Sequence, residues 1–492
     1  MKKQMTEGEE LVLGLVYPIG VDIDKAIRTI SRSVRKFNYT PNIIRLTKIF
    51  RELPPGVDDD LSFSKKRRSV YQEINELMTL GNTFCERKEN PETMAYYGIG
   101  EISLGRDHSG AVRGRTIHIV RSFKRPEEVS TFRKVYGEGF FLLGINASQG
   151  SRKRFFKDKR VSSKLAKKLM KRDEEENKKY GQQTRETFQL SDAFVDESAK
   201  DFDKQVERFL RLVFGDPYVT PTRDEHAMFL AYASSLRSAD LSRQVGAVIR
   251  SKEGEIVSQG ANDVPCCGGG LYWSDDKNDE RDHKRGFDSN KRAREKILED
   301  ILERFRSSQE LRSFFSSSQY SEAIDVCKKL IGESKFKDIT EYGRATHAEM
   351  EALLCCARVG TNLRHGTLYT TTFPCHNCAR HVIAAGIKRV VYVEPYAKSR
   401  AIELHSDAVT INGRDRNHRK VLFEPFTGIG PRRYFDLFSM KLGMGEESVR
   451  NKQGKVINFE MKKARPRVRL KNSSYLDREA NVVVKWKEML GQ

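Results

Sequence analysis

At 492 residues, with 32% charged and 38% hydrophobic side chains, the chain can fold as two or three domains, and the lack of any long apolar run excludes a membrane-spanning segment. A formal net charge of +21 points to polyanionic partners, with DNA, RNA and nucleoside phosphates all answering to it. Eight cysteines, two of them in a metal-ligand spacing, and no secretory apolar segment after Met1 predict a reducing, cytoplasmic setting rather than a disulfide framework.

The first elements are those of an α/β domain. Residues 11–16 read as a buried strand that passes through Tyr17-Pro18-Ile19-Gly20 into an amphipathic helix near Asp22 or Asp24. Strand, glycine turn and helix form the frame of a phosphate-binding loop, with Gly14 and Gly20 as its candidate residues. The motif G-x-x-x-x-G-K-[ST] is incomplete, because Val21 and Asp22 stand where lysine and a hydroxyl belong; the first turn of any α/β domain reads the same way. Strands predicted over 42–46, 116–120 and 140–145, with a helix over 126–135, imply a mostly parallel sheet. Arg152, Lys153, Arg154, Lys157, Lys159 and Arg160 then stand where P-loop kinases carry an arginine-rich lid, or form a solvated basic helix. The expected first domain, a degenerate P-loop kinase-like fold, covers residues 1–160. A charged helical linker is expected over 161–221, with an amphipathic helix over 201–214.

A second organisation covers 222–492. A helix over 224–235 precedes a hairpin of strands 244–249 and 255–260, and a long insertion follows at about 266–341. Beyond it come Thr346-His347-Ala348-Glu349 and Pro374-Cys375-His376-Asn377-Cys378. One imidazole and two thiolates, from His347, Cys375 and Cys378, supply three ligands to a tetrahedral Zn2+ and leave a fourth position for water, the stoichiometry of a catalytic site. Glu349 is free to carry protons rather than bind metal. Each half has a plainer reading: residues 346–349 match a helix capping box, and Cys-x-x-Cys a redox pair. Together they form the His-x-Glu, Pro-Cys-x-x-Cys signature of zinc nucleobase deaminases. In that chemistry zinc brings the pKa of water from about 15.7 toward about 7; Glu349 moves the water proton to cytosine N3, C4 is hydrated and ammonia leaves. Cys266, Cys267 and His283 are candidates for a second metal, against a plainer reading as local cysteines.

Residues 236–247 (LRSADLSRQVGA), 260–265 (GANDVP), the His347/Glu349 pair and Cys375/Cys378 together resemble the deoxycytidylate deaminase family. The layout of the N-terminal domain, Gly268-Gly269-Gly270-Leu271-Tyr272-Trp273, residues 394–399 and residues 423–426 resemble bacterial two-domain antiviral deaminases. The resemblance implies a cytidine-deaminase-like three-layer α/β/α domain and hydrolysis of dCTP or dCMP that drains the pool during phage infection. It also implies a homo-oligomer; a further reading, compatible with the enzyme, makes the N-terminal domain a binding module for a nucleotide or RNA regulator that restrains the deaminase. Asn262 would hold the sugar hydroxyl, and Arg243, Tyr396 and Lys398 would contact phosphate or base. The competing expectation is a deaminase of single-stranded DNA or RNA, with Tyr272 and Trp273 stacking on bases.

Overall fold

The structure, a computed structural model, describes residues 9–52, 61, 63, 68–106, 114–308, 325, 326, 329–331, 334, 336, 341–396, 399–411, 419–440, 449–467 and 472–491. The chain forms two compact units, Met1–His226 with Phe426–Gln492, and Ala227–Pro425. Among the described residues no helix is long and apolar enough to cross a membrane.

The first unit opens with β1 (Leu11–Val16), α1 (Ile23–Lys36), β2 (Thr40–Arg45), α2 (Val70–Arg87), α3 (Thr93–Leu104) and β3 (Thr116–Phe123). It continues through α4 (Pro126–Tyr136), β4 (Phe140–Asn146), α5 (Gln149–Asp158), α6 (Ser163–Glu174), β5 (Ala193–Asp196) and α7 (Phe202–Val213). The five strands are parallel in the order β5-β4-β1-β3-β2. Alternation along β1 sends Leu11, Leu13 and Leu15 into one core, shared with Ile30 and Val34 of α1 and Val206 and Leu210 of α7. Val12 and Val16 enter a second core, shared with Ile99 of α3 and Phe132 of α4. Burial on both faces explains why β1 is a continuous apolar run.

The division differs from the expected one. Residues 161–221 are not a linker: α6 buries Ala166, Leu169 and Asp173, β5 pairs with β4, and α7 packs into the first core. The charge of this stretch hides its inward face, because a surface helix docks on three to four apolar residues in about two turns and the rest of its positions can be charged.

In the second unit, α8 (Arg223–Ser235) leads into the hairpin of β6 (Gly246–Arg250) and β7 (Ile256–Ala261). Next come α9 (Ser289–Ser307), α10 (Ala348–Val359), β8 (Thr367–Thr372), α11 (His376–Ala384), β9 (Arg389–Glu394), β10 (Val409–Thr410) and β11 (Val421–Pro425). The sheet order is β10-β11-β9-β8-β6-β7, with β7-β6-β8 antiparallel and the rest parallel. Two glycines report the layers. A Cβ on Gly246 would lie 1.9 Å from Ala231 O of α8, and one on Gly260 would lie 2.3 Å from Ala348 O of α10. Gly246 pairs with Ala261, and Gly260 with Ala247, so the two glycines face opposite sides of the sheet. Helices therefore cover both faces, as a three-layer arrangement requires.

The chain then returns to the first unit, so residues 426–492 are not part of the second one as expected. Strand β12 (Gly428–Ile429) adds antiparallel to β5, and α12 (Asn472–Met489) packs on α3. A buried polar network locks this return. Arg106 pairs with Glu10 and Glu479, Tyr475 donates to Glu10 at 2.7 Å and Tyr136 to Glu479 at 3.0 Å, and His118 Nε2 lies 3.1 Å from Glu10.

Candidate active site

Two helix starts build the site. Helix α10 begins at Ala348, with His347 as its N-cap in extended backbone (φ −70°, ψ 151°) and no side-chain cap bond. The capping box read from Thr346 to Glu349 therefore does not form. Thr346 lies outside the helix, bridged to Asp263 through its N–H at 2.9 Å, and the imidazole is released from capping. Cys375 is the N-cap of α11, and its Sγ accepts the Cys378 N–H at 3.4 Å. This local turn places Cys378 one helical step from Cys375, both beside the first turn of α10.

His347 Nδ1 lies 3.4 Å from Cys375 Sγ and 3.3 Å from Cys378 Sγ, and the three donor atoms lie within 4.8 Å of one another. A tetrahedral zinc with ordinary Zn–S and Zn–N bonds needs N···S edges of about 3.6 Å, so the trio fits the ion. The hydrogen bond with Cys378 outweighs burial and, with His347, draws the Cys375 thiol down to about 4. The hydrogen bond that its Nδ1–H donates to Cys375 raises His347 to about 9 despite its burial. A thiolate and a proton-sharing imidazole are the donors a cation displaces the proton from. Glu349, 4% exposed, sits in the first turn of α10, and burial pushes its carboxyl up.

A cavity of about 430 Å³ adjoins the trio and is lined by Glu349, Asn262, Arg243 and Tyr396. Asn262 is buried and partly committed: its Oδ1 accepts Val245 N–H at 2.6 Å and its Nδ2 donates to Arg243 O at 2.8 Å. One N–H and one lone pair of the amide remain. The Arg243 guanidinium is half exposed, 5.7 Å from the Tyr396 ring centroid and 3.7 Å from Glu394. Lys398 lies outside the described residues.

Sequence reasoning missed several lining residues. Asn290 and Arg294 come from the insertion, Arg344 just precedes the zinc segment, and Asp240 shares the Arg243 loop. Arg344 is tied to Asp282 at 2.9 Å. His376 also lines the cavity, and its Nδ1 is buried without a hydrogen-bond partner. Asp240 and His376 lie inside the segments 236–247 and 374–378 that were quoted for other residues, and Arg344 stands two residues before Thr346; the insertion residues carry no local pattern.

Other candidates are not brought together. Among the described residues, His347, Cys375 and Cys378 are the only His, Cys, Asp or Glu group that could hold a metal. Cys267 is exposed, Cys266 Sγ turns to Cys267 O at 3.4 Å, and His283 sits 3.9 Å from Asp279, so the three second-metal candidates do not form a group, in keeping with the plainer reading as local cysteines. Trp273 carries the Arg237 guanidinium 3.5 Å from its ring centroid, and neither Tyr272 nor Trp273 lines the cavity.

The glycine turn of the first unit is filled by protein. Gly14 lies inside β1, where a Cβ would come within 2.8 Å of the Phe140 ring, so its lack of a side chain serves packing. Gly20 adopts φ +90°, which opens the turn at little steric cost. The Ile19 N–H donates to Asp173 Oδ2 at 2.9 Å, and Arg152 Nε donates to Ile19 O at 2.9 Å. Lys124 Nζ bridges Asp173 Oδ1 at 2.6 Å and Tyr17 O at 3.0 Å. A buried carboxylate thus takes the backbone donor that a phosphate would use. Of the basic cluster, Arg152 turns inward, while Lys153, Arg154, Lys157, Lys159 and Arg160 are not buried.

Residues 221–394 match the cytidine and deoxycytidylate deaminase zinc-binding region. The deoxycytidylate deaminase of Enterobacteria phage T4 is 32% identical over 171 residues, 35% of this chain and 77% of that protein. Its counterpart from Enterobacteria phage T2 is 31% identical over 171 residues, 35% and 79% of the two chains. Among solved structures, the apo dCMP deaminase of cyanophage S-TIM5 is 17% identical, covering 42% of this chain and 99% of that one with a TM-score of 0.23. With its zinc-binding region, its His/Cys/Cys trio and a relative of this identity covered over most of its length, the chain belongs to the deoxycytidylate deaminase family and is a hydrolytic deaminase whose trio can hold zinc.

Proposed function

We propose that the protein hydrolyses free deoxycytidine nucleotides, dCTP or dCMP, to the deoxyuridine forms, and that it thereby drains the deoxycytidine nucleotide pool as an antiviral defence. The observation that carries this reading is the meeting of the metal trio and Glu349 with three guanidinium groups, Arg243, Arg294 and Arg344, around one cavity. Guanidinium forks suit phosphate oxygens.

A zinc ion on His347 and the two thiolates supplies Lewis acidity that makes water a nucleophile near neutral pH. Glu349 accepts the water proton and passes it to ring N3 as the C4–O bond forms; it then takes the proton of the new C4 hydroxyl and delivers it to the amino nitrogen as the C4–N bond breaks and ammonia leaves. Asn262 offers its remaining N–H to the sugar hydroxyl, while its other bonds hold the Arg243–Val245 segment in place. Arg243 and Tyr396 take the phosphate end. The polynucleotide alternative draws less support from the site, because Arg237 stacks on the Trp273 ring and neither Tyr272 nor Trp273 lines the cavity.

We read the first unit as a regulatory module for a nucleotide or RNA within a homo-oligomer. Its parallel order β5-β4-β1-β3-β2 supports this, since the chain leaves β1 toward one edge and β3 toward the other, the switch point at which α/β sheets bind ligands. A panel of cytosine mono- and triphosphates beside oligonucleotides, read by ammonia release, tests the substrate. Turnover of dCTP or dCMP is expected, and activity confined to oligonucleotides overturns the reading.

A further inference from the structure

The closed glycine turn leaves a different feature at the carboxyl ends of the same strands. Arg45, the last residue of β2, is the direct cross-strand partner of Arg121 in β3. Arg121 is in turn level with Leu15 of β1, so both arginines stand on the sheet face that carries the α1 core. Like charges directly opposite on neighbouring strands are destabilising. Burial and the charge of Arg121 lower the pKa of Arg45.

The protein compensates these two cations unequally: Tyr17 and Asp24 hold the pKa of Arg121 up despite its burial, whereas Arg45 is left lowered. Arg121 Nη1 bonds Asp24 at 3.1 Å, but the Asp24 side chain is 71% exposed, so solvent screens the pair. The Nε of Arg121 is buried and has no hydrogen-bond partner. Arg45 Nε spends its bond on the neutral hydroxyl of Thr47 at 2.9 Å. The backbone is also held in an unusual state: Ser122 adopts φ +81°, rare for a residue with a side chain, and the register of β1 against β3 shifts between Leu15 and Val16. The Ser122 hydroxyl meets the Tyr17 hydroxyl at 2.8 Å, which pins both beside Arg121.

We propose that Arg45 and Arg121, flanked by Tyr17 and Ser122, form a binding site for a phosphate-bearing small molecule, a nucleoside polyphosphate by class, separate from the deaminase cavity. Two guanidinium groups on one face present parallel N–H donors to phosphate oxygens, and a bound anion relieves the repulsion that the apo protein carries. The inference rests on reading the first unit as a ligand-binding module and is independent of the deaminase chemistry. It moves the anion site from the Gly20 turn, which Asp173 closes, to the neighbouring strand ends.

The test is calorimetric titration of the full-length protein with inorganic pyrophosphate and with ATP at low salt. Binding is expected to weaken about tenfold or more in Arg121→Gln and in Arg45→Gln, and to be unchanged in Arg243→Gln, which alters only the deaminase cavity. Equal affinity for both probes assigns the site to phosphate alone, and tighter ATP binding assigns it to a nucleotide. Apo Arg45→Gln, which removes one of two facing charges from a partly exposed position, is expected to melt at the same temperature as the parent or higher. Absence of binding, binding untouched by Arg45→Gln and Arg121→Gln, or binding lost in Arg243→Gln overturns the proposal; the last result leaves the deaminase assignment standing.

Discussion

In the Ala227–Pro425 unit, the starts of α10 and α11 converge the side chains of His347, Cys375 and Cys378 within 4.8 Å, whereas in the other unit the turn after β1 spends its polar groups on Asp173, Arg152 and Lys124. Both are loops ahead of a helix, and both carry donor capacity. The first presents it to a cavity, and the second consumes it inside the protein. A helix start is therefore not a site by virtue of its geometry; what matters is whether the protein has already satisfied it.

The largest effect that sharpens this contrast comes from a metal ligand. Cys378→Ser is expected to lose bound zinc and to abolish ammonia release while the first unit keeps its fold; metal analysis beside turnover reads both. Retained zinc with full activity would place the metal elsewhere. Glu349→Ala should lower kcat by about 10²–10⁴ with zinc content near one per chain, because it removes the proton carrier and spares the ligands. Equal loss of zinc and activity in that variant would make Glu349 a ligand instead.

Asp173→Ala probes the closed turn. It leaves the Lys124 ammonium, 15% exposed on its side chain, and the Ile19 N–H without their carboxylate, and should cost the first unit about 3 kcal/mol in urea denaturation with kcat unchanged. An unchanged midpoint would show that the turn is open in solution. The smallest effect under ordinary conditions concerns Glu10. Burial pushes this carboxyl up, but the hydrogen bond from His118 and the charge of Arg106 hold it at about 2. Because the folded value lies below the unfolded one, its contribution is full above about pH 4.5 and is lost as pH falls toward 2. Roughly 3 kcal/mol should disappear from the first unit across that window, and Glu10→Gln should flatten the profile.

The central chemistry was legible because its parts are local. His347 with Glu349, and Cys375 with Cys378, are each fixed by two or three residues of spacing on a helix start, and such spacing survives any tertiary arrangement. The strands over 11–16 and 140–146 were equally plain, since burial on both faces writes a continuous apolar run. The domain boundaries were not. β5 is four residues long, β12 is two, and α6 is mostly charged, so their membership in the first unit rests on partners far along the chain.

The sequence by itself determined the reaction type, the metal and the parallel core of the first unit, because each depends on residue identity and short periodicity. Only the tertiary structure decided that Asp173 closes the Gly20 turn from 154 residues away, that Arg45 meets Arg121, and that the insertion lends Asn290 and Arg294 to the cavity. Those contacts are set by sheet order and helix docking, which bring distant side chains together without leaving a pattern in the residues between them.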